Sequence, residues 1–243
     1  MARNVASLVR VSLGHVEERT ALDVAQAKRL IYRAGGQRLY AAYVLGLLGL
    51  RQGEVLGLAW EDVDFSQGTI SIRQQLQRAK NVGLHLRPLK SRRSRRTLPL
   101  PRFVVVALST QQLFQQSARE VASEVWRDSG LVFTSPIGTP LDPRNFQRER
   151  VEFRDSVEDI PPVTFHGLRH TTVSLLLALG VPPRAVMEIA GHSGVNMTMN
   201  VYGHVQLDGL RAALDQLDTL MKWSKVSNLS VSTPAGHGAD DAF

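Results

Sequence analysis

The sequence predicts an α+β fold that is mostly α-helical with a small antiparallel β-sheet. Most of the chain carries apolar residues at helical spacing, in segments that end at Gly or Pro. One short stretch, residues 69–73, instead alternates apolar and polar side chains with period two, as a half-buried strand does. With 243 residues, 43% of them hydrophobic, the chain is long enough to bury a substantial core.

Helical periodicity predicts the main elements. Thr20 looks like an N-cap, with Asp23 at the third following position, so a helix is expected from there to Ala34. A short helix should follow the break at 49–54, and another should carry Tyr202. The remaining helices are expected at 38–48, 101–126, 143–153, 167–179, 183–190 and 208–223.

Strand signals lie between these helices. Residues 59–65 lead into a turn at 66–68, after which residues 69–73 form the alternating strand. Residues 97–100 are a plausible third strand of the antiparallel sheet. Pro99 would place this strand at the edge, because Pro has no N–H to donate to a neighbour. A further short strand is expected at residues 131–134.

Composition excludes several classes of protein. There is no cysteine, so disulfides and thiolate zinc sites are excluded. The beginning of the sequence shows no apolar signal-peptide core. The longest nearly apolar run, residues 40–50, is about half of the roughly 20 residues that a membrane helix requires. We therefore expect a soluble cytoplasmic protein with no membrane partner.

Positive charge is concentrated in one region of a chain whose formal net charge is +7. From Phe65 through Arg119 there is no Asp or Glu, and there are eleven Lys or Arg residues, Arg119 included. A solvated loop is the simplest interpretation of such a run, but it also suits a polyanion such as nucleic acid or an anionic membrane. Six of these cations fall within ten residues: Arg87, Lys90, Arg92, Arg93, Arg95 and Arg96.

Residues suited to phosphate chemistry cluster near the end of the sequence. Arg169 and His170 lie three and four residues after His166, along one face of the expected helix, whose N-terminus favours an anion. The planar fork of Arg169 could grip phosphate oxygens beside a hydrogen bond from His166. Tyr202 follows His192 by ten residues and is a candidate nucleophile. A tyrosine hydroxyl attacks only with help from neighbouring groups.

Three other interpretations of these residues stay open. The histidines could be polar residues at a helix start, satisfied by backbone groups. The spacing of His166 and His170 could indicate a metal site, although no Glu follows His166 and no third ligand is evident. Residues 167–190 could form a helix-turn-helix, but its second helix offers only Arg184 and Glu188 to bases.

The motifs resemble those of the tyrosine recombinase, or phage integrase, family. Residues 49–54 (GLRQGE) and 58–62 (LAWED) look like its first conserved box, and residues 166–171 (HGLRHT) look like its second. Residues 191–193 (GHS) and 202–205 (YGHV) are similar to its closing segment, at the usual separation. The resemblance implies the catalytic-domain fold of this family of DNA breaking-rejoining enzymes, of bacterial or phage origin.

The resemblance also implies roles for individual residues. Arg51 and Arg169 would hold the scissile phosphate and offset the charge of the pentavalent transition state. His192 would donate a further hydrogen bond to that phosphate. His166 would assist proton removal from Tyr202, which would form a 3′-phosphotyrosine and free a 5′-hydroxyl.

Two further positions match the family pattern. The family protonates the leaving hydroxyl with a lysine on a β-hairpin, a place that Lys90 matches, with Arg92 and Lys80 as alternatives. Glu54 matches an acidic position that orients the active-site arginine. Because the protein–DNA ester conserves the bond energy, the implied mechanism needs no cofactor and no metal.

The expected domain organisation follows from the same match, which runs from about residue 20 to residue 205. Residues 1–19 are expected to be a leader or linker, 20–223 the catalytic domain, and 224–243 a disordered tail. Family members carry a helical core-binding domain before the catalytic domain, and we expect none of that size here. Binding to double-stranded DNA should therefore be weak and salt-dependent, through Arg87, Arg92, Arg93, Arg95 and Arg96.

The predicted function is site-specific DNA recombination or integration. The alternatives are a catalytically idle DNA-binding remnant and a type IB topoisomerase-like nicking-closing enzyme. A homotetramer is expected in the synaptic complex, and a monomer in isolation. The helix at 208–223 has an apolar stripe that suits packing either on its own domain or on a neighbouring subunit.

Overall fold

The structure, a computed structural model, describes residues 21–89, 94–157, 160–191 and 207–221. The expected segments 1–19 and 224–243 lie outside these ranges. The helices are α1 (Val24–Ala34), α2 (Tyr40–Leu47), α3 (Gln52–Leu56), α4 (Arg102–Ala122), α5 (Pro143–Asp155), α6 (Phe165–Ala178), α7 (Pro183–Ala190) and α8 (Leu207–Met221). The strands are β1 (Val63–Asp64), β2 (Thr69–Ile72), β3 (Gln74–Ala79), β4 (Gly83–Pro88) and β5 (Arg96–Pro99). The predicted fold class, helical with small antiparallel sheets, is confirmed.

A three-stranded antiparallel sheet has the order β1-β2-β5. Its register pairs Ile70 with Leu98 and Thr69 with Pro99. Ile70, Ile72 and Leu98 are buried, so one face of the sheet closes the core. The prediction for Pro99 is confirmed, because β5 lies at the edge of the sheet. An edge strand has a neighbour on one side only, so it tolerates a residue that has no N–H to donate.

A separate β-hairpin, β3–β4, lies between β2 and β5 along the chain. Sequence reasoning missed it because its strands are mostly polar, with Leu76 as the one fully buried side chain of β3. The hairpin packs on α3 at Gly57, where an added Cβ would lie 2.7 Å from the backbone nitrogen of Leu76. Glycine at this position therefore lets two backbones meet.

The centre of the helical core is α2, in which all residues from Ala41 to Leu47 are buried. It packs against α1, α4 and α6. At Gly46 an added Cβ would lie 2.9 Å from Cδ1 of Leu168 on α6, so the missing side chain allows a close helix contact. The packing of α2 on α6 brings the break that follows α2 next to the first turns of α6.

Local differences from the predicted elements have identifiable causes. The N-cap of α1 is Asp23, not Thr20, which lies outside the described residues. Asp23 Oδ1 accepts from the N–H of Gln26 at 2.8 Å, and Gln26 Oε1 accepts from the N–H of Asp23 at 2.9 Å. This reciprocal capping box satisfies two amide donors, and it starts α1 about one turn after the predicted position.

Two predicted strands are largely absent from the described residues. Of residues 59–65, only Val63 and Asp64 belong to a strand (β1), Ala59 makes a single bridge, and residues 60–62 form a 3₁₀ turn. Residues 131–134 make single bridges, of Leu131 to Ala59 and of Thr134 to Pro140. The backbone carbonyls of this segment instead accept hydrogen bonds from side chains of α4. The Gln115 amide, for example, donates to the carbonyl oxygen of Leu131 at 2.9 Å. Side-chain hydrogen bonds therefore replace a strand ladder there.

Helix α8 packs on its own domain. Its buried stripe contains Leu210, Leu214 and Leu217, and it contacts β5, α7, α1, α4 and α6. Asp218 Oδ1 on α8 accepts from the N–H of Phe103 at 3.1 Å. This hydrogen bond also satisfies an amide donor in the first turn of α4. None of the helices in the described ranges is both long and apolar enough to cross a membrane.

Candidate active site

Arg51 is the N-cap residue of α3, at the break between α2 and α3. Two residues earlier, Gly49 adopts a positive φ of +97° at the turn between these helices. Its N–H donates to Glu54 Oε2 at 3.0 Å, and its Nη1 donates to Glu54 Oε1 at 2.7 Å. Its Nη2 donates to the carbonyl of Gly191 at 2.9 Å, across 140 residues of sequence. Both terminal nitrogens of the guanidinium are thus held by hydrogen bonds, while 37% of the side chain stays exposed.

Arg169 lies in the first turns of α6, which the Thr164 hydroxyl caps by accepting from the N–H of Gly167 at 3.0 Å. The residue is 1% exposed, and its Nη1 donates to the carbonyl of Gly49 at 2.7 Å. Within the part of the chain that the structure describes, its Nε and Nη2 have no hydrogen-bond partner. Buried donors without partners are rare, and these mark a place for an acceptor.

Glu54 is shared by two arginines. Besides Arg51, it binds Arg96, whose Nη2 donates to Glu54 Oε2 at 2.9 Å. Arg96 Nε donates to the carbonyl of Ile189 at 2.9 Å, and Arg96 Nη1 donates to that of Ser94 at 3.3 Å. The side chains of Arg96 and Glu54 are only 7% and 1% exposed.

This position corrects one sequence expectation, since the side chain of Arg96, expected on the DNA-binding surface, is largely buried. Its three guanidinium nitrogens all donate within the domain, and the side chain faces inward. The signal was present in the sequence, because Arg96 precedes the buried Leu98 by two residues and period two puts both on one face of β5. The sequence prediction counted the positive charges of the basic run and did not consider this alternation of side chains along the strand.

The cluster of Arg51, Arg96 and Arg169 around Glu54 has excess positive charge. Burial raises the pKa of the Glu54 carboxyl, but Arg96 and Arg51 outweigh burial and hold it below its ordinary value. Burial, with the like charges of Arg51 and Arg96, lowers the pKa of Arg169 to about 9, against a smaller opposite effect of Glu54. Arg169 is therefore still charged at neutral pH, and an anion beside it would offset both effects.

His166 lies on the second residue of α6 and is exposed. It lines an open cleft with Arg51, the start of α3 and residues 75–78 of the hairpin. Its ring meets that of His170 edge to face, with centroids 4.7 Å apart. No group of three or more His, Asp or Glu within the described ranges could hold a metal ion, so the metal interpretation gains no third ligand there.

The helix-turn-helix alternative finds little support. Helix α7 buries Ala185, Val186 and Ile189 against the domain. The two side chains that it could offer to bases pair with each other, with Arg184 Nε donating to Glu188 Oε1 at 3.1 Å.

The structure thus brings together Arg51, Glu54 and Arg169 from two separate sequence boxes, and it adds Arg96 and the carbonyl of Gly191. His166 lines the cleft that Arg51 also lines. Arg87 and Arg95 are exposed, as expected for DNA contacts. The remaining predicted residues lie outside the described ranges: Lys90, Arg92, Arg93, His192 and Tyr202.

Comparison with known sequences identifies the family. The model of the phage integrase family matches residues 21–208. The chain is 30% identical over 193 residues to a tyrosine recombinase XerC-like protein of Caldanaerobacter subterraneus subsp. tengcongensis, covering 74% of this chain and 49% of that protein. It is 34% identical over 228 residues to an integrase of Streptomyces ambofaciens, covering 86% and 58%. The chain therefore spans about half the length of these curated relatives.

Solved structures show the same fold. A Tn1549 transposon integrase in complex with transposon right end DNA matches with a TM-score of 0.65 and 26% identity, over 88% of this chain and 70% of that chain. XerA recombinase matches with a TM-score of 0.57 and 26% identity, over 82% and 65%. With the fold, the arginine cluster and the family match in agreement, the chain belongs to the phage integrase family of tyrosine recombinases.

Proposed function

We propose that this chain is the catalytic domain of a site-specific DNA recombinase that cuts and rejoins DNA through a 3′-phosphotyrosine at Tyr202. The observation that carries the proposal is the buried guanidinium of Arg169, which has two nitrogens without a partner among the described residues, beside the fixed and partly exposed guanidinium of Arg51. Two guanidinium groups in a positive, partly desolvated site suit the non-bridging oxygens of a phosphodiester.

In the proposed reaction, the oxygen of Tyr202 attacks phosphorus and the bond from phosphorus to the 5′ oxygen breaks. The tyrosine proton passes to a base, and the leaving 5′ oxygen takes up a proton to become a hydroxyl. Arg51 and Arg169 stabilise the charge that builds on the equatorial oxygens. Attack of a 5′-hydroxyl from a second strand reverses these steps and rejoins the DNA.

The proton transfers are assigned to residues near the cleft. His166, exposed beside Arg51, would assist removal of the proton from Tyr202, and His192 would add a hydrogen bond to the phosphate. Lys90 would protonate the leaving oxygen. These three assignments rest on the family match of the motifs, and for Lys90 the alternatives Arg92 and Lys80 stand.

The proposed partner is double-stranded DNA, held through exposed cations of the basic run such as Arg87 and Arg95. The Tn1549 integrase, which shares this fold, is bound to DNA in its solved structure. A homotetramer in the synaptic complex stays a prediction.

The decisive experiment traps the covalent intermediate. The chain is incubated with a pool of nicked suicide duplexes whose core sequence is randomised, and SDS-resistant protein–DNA adducts are isolated and sequenced. The expected result is an adduct on an enriched core sequence, with the DNA 3′ phosphate attached to Tyr202. Tyr202→Phe should bind the same DNA and form no adduct.

The other outcomes separate the alternatives. DNA binding without any adduct would contradict the proposal and leave a catalytically idle remnant. Adducts without sequence enrichment, together with relaxation of a supercoiled plasmid, would instead indicate a topoisomerase-like enzyme.

A further inference from the structure

Arg96 joins three parts of the domain that carry the site. From the start of β5 it donates to Glu54 on α3 and to the carbonyl of Ile189 in the last turn of α7, at 2.9 Å in each case. Glu54 in turn fixes Arg51 through both its backbone and its guanidinium. Arg96 therefore reaches Arg51 through a single shared carboxylate.

The C-terminal end of α7 is held from two directions. Arg96 binds the carbonyl of Ile189, and Arg51 binds the carbonyl of Gly191 at 2.9 Å. Cations are favourable at this end of a helix, where carbonyls lack partners. An added Cβ on Gly191 would lie 2.6 Å from Arg96 Nη1, so the guanidinium packs directly against the left-handed residue that ends α7.

We propose that Arg96 is a positioning residue of the active site. It sets the orientation of Arg51 by fixing Glu54, and it fixes the end of α7 against α3. The inference rests on the proposed function, since its consequence is a faster cleavage step. It assigns to Arg96 a role distinct from that of its exposed neighbours in the basic run.

The guanidinium shape suits this role better than a simple positive charge would. The fork of Arg96 reaches a carboxylate oxygen and a backbone carbonyl at once, in directions fixed by its plane. A lysine could pair with Glu54 or with the Ile189 carbonyl, but a compact ammonium lacks the span to hold both in this geometry. Arg96→Lys therefore separates charge from geometry.

The test compares Arg96→Ala and Arg96→Lys with the wild-type chain on a core sequence captured by the trapping experiment. Two quantities are measured: the single-turnover rate of adduct formation at saturating DNA, and the dependence of the DNA dissociation constant on salt. We expect the rate to fall about 10- to 100-fold in Arg96→Ala, because small misplacements of catalytic groups have effects of that size. Arg96→Lys should recover only part of the rate.

The salt dependence distinguishes positioning from DNA contact. A lost phosphate contact lowers the slope of log K against log salt by about 1. Arg95→Ala, the adjacent exposed arginine, should show this change, whereas Arg96→Ala should keep the wild-type slope. A lowered slope in Arg96→Ala with a wild-type cleavage rate would overturn the inference.

The link through Glu54 is tested by combining substitutions. If Arg96 acts through Glu54, Arg96→Ala should slow cleavage much less in a Glu54→Gln background than in the wild-type background. Equal effects in both backgrounds would contradict the link. If Arg96→Ala does not fold, Arg96→Lys decides: a slower rate with an unchanged slope supports positioning, and a wild-type rate overturns it.

Failure of the inference and failure of the proposed function give different results. If the wild-type chain forms no adduct on any core sequence, the proposed function has failed. If it forms the adduct and the Arg96 variants form it equally fast, only the positioning role has failed.

Discussion

Two arginine-rich regions of this domain differ in what surrounds the charge. Around Glu54, the guanidinium groups of Arg51, Arg96 and Arg169 are bound to a carboxylate or to backbone carbonyls. The side chains of Arg96 and Arg169 are almost fully buried. In the basic run before β5, Arg87 and Arg95 are exposed. Among the described residues, Arg95 donates from Nε to the Leu89 carbonyl at the long distance of 3.4 Å.

The two regions differ in position within the fold and not in the kind of charge, and we propose that this difference separates their roles. A buried guanidinium has lost its water and gains strongly from a fixed acceptor, so it can stabilise one phosphate in one place. An exposed guanidinium is screened by salt and contributes to binding without fixing a reacting atom. Four substitutions test this contrast, beginning with the largest expected effect.

Arg169→Ala should lower the single-turnover rate of adduct formation by at least about 100-fold, because in the proposed reaction it removes donors to the charge that develops on the phosphate. The comparison is Arg119→Ala, an exposed arginine on α4 that is 64% exposed. Thermal melting of both variants would show that the domain still folds. Equal cleavage rates in the two variants would contradict the assignment of the buried cluster as the phosphate site.

Glu54→Gln should lower the free energy of unfolding at pH 7 by about 3 kcal/mol, because two arginines lose their shared buried carboxylate. The folded-state pKa of Glu54 lies below its ordinary value of 4.5. Its contribution is therefore complete above pH 4.5 and is lost as the pH falls through the lowered pKa. Denaturant unfolding from pH 3 to pH 7 should show the wild-type advantage shrinking in acid.

A matched control for this prediction is Glu152→Gln, in the exposed pair with Arg148, where the N–O distance is 3.9 Å. Its expected effect on the free energy of unfolding is below about 1 kcal/mol at any of these pH values. A similar loss in both glutamine variants would mean that burial adds nothing to the Glu54 network.

Gly191→Ala and Gly180→Ala form a matched pair, because both glycines adopt the left-handed backbone conformation. Both glycines have positive φ, +64° and +77°, which costs a non-glycine residue roughly 1–2 kcal/mol. An added Cβ would meet Arg96 at Gly191, whereas at Gly180 it would meet no atom of the described residues within 4 Å. Gly191→Ala should therefore lower the melting temperature further than Gly180→Ala, and equal shifts would show that Arg96 is free to move aside.

Arg87→Ala should have the smallest effect on the fold, within about 0.5 kcal/mol, because the side chain is exposed. It should lower the slope of DNA affinity against salt by about 1, measured by fluorescence anisotropy on a short duplex. An unchanged slope would remove Arg87 from the DNA-contacting surface.

Much of the helical architecture follows from local rules. The bounds of α7 agree with the predicted 183–190, because Pro at its start and Gly at its end act on the adjoining backbone. The polar hairpin β3–β4 and the side-chain pairing at residues 131–134 escaped prediction. Both depend on partners far along the chain, such as α3 and Gln115.

The sequence by itself indicated the family, the residue types of the proposed phosphate site and the position of the basic run, because motifs and charges are read directly from the order of the residues. Only the tertiary structure decided which arginines are buried. Arg96 moved from the expected DNA surface into the site because β5 turns it toward Glu54, 42 residues earlier in the chain. Burial and hydrogen-bond partners arise from long-range packing, and no stretch of sequence contains them alone.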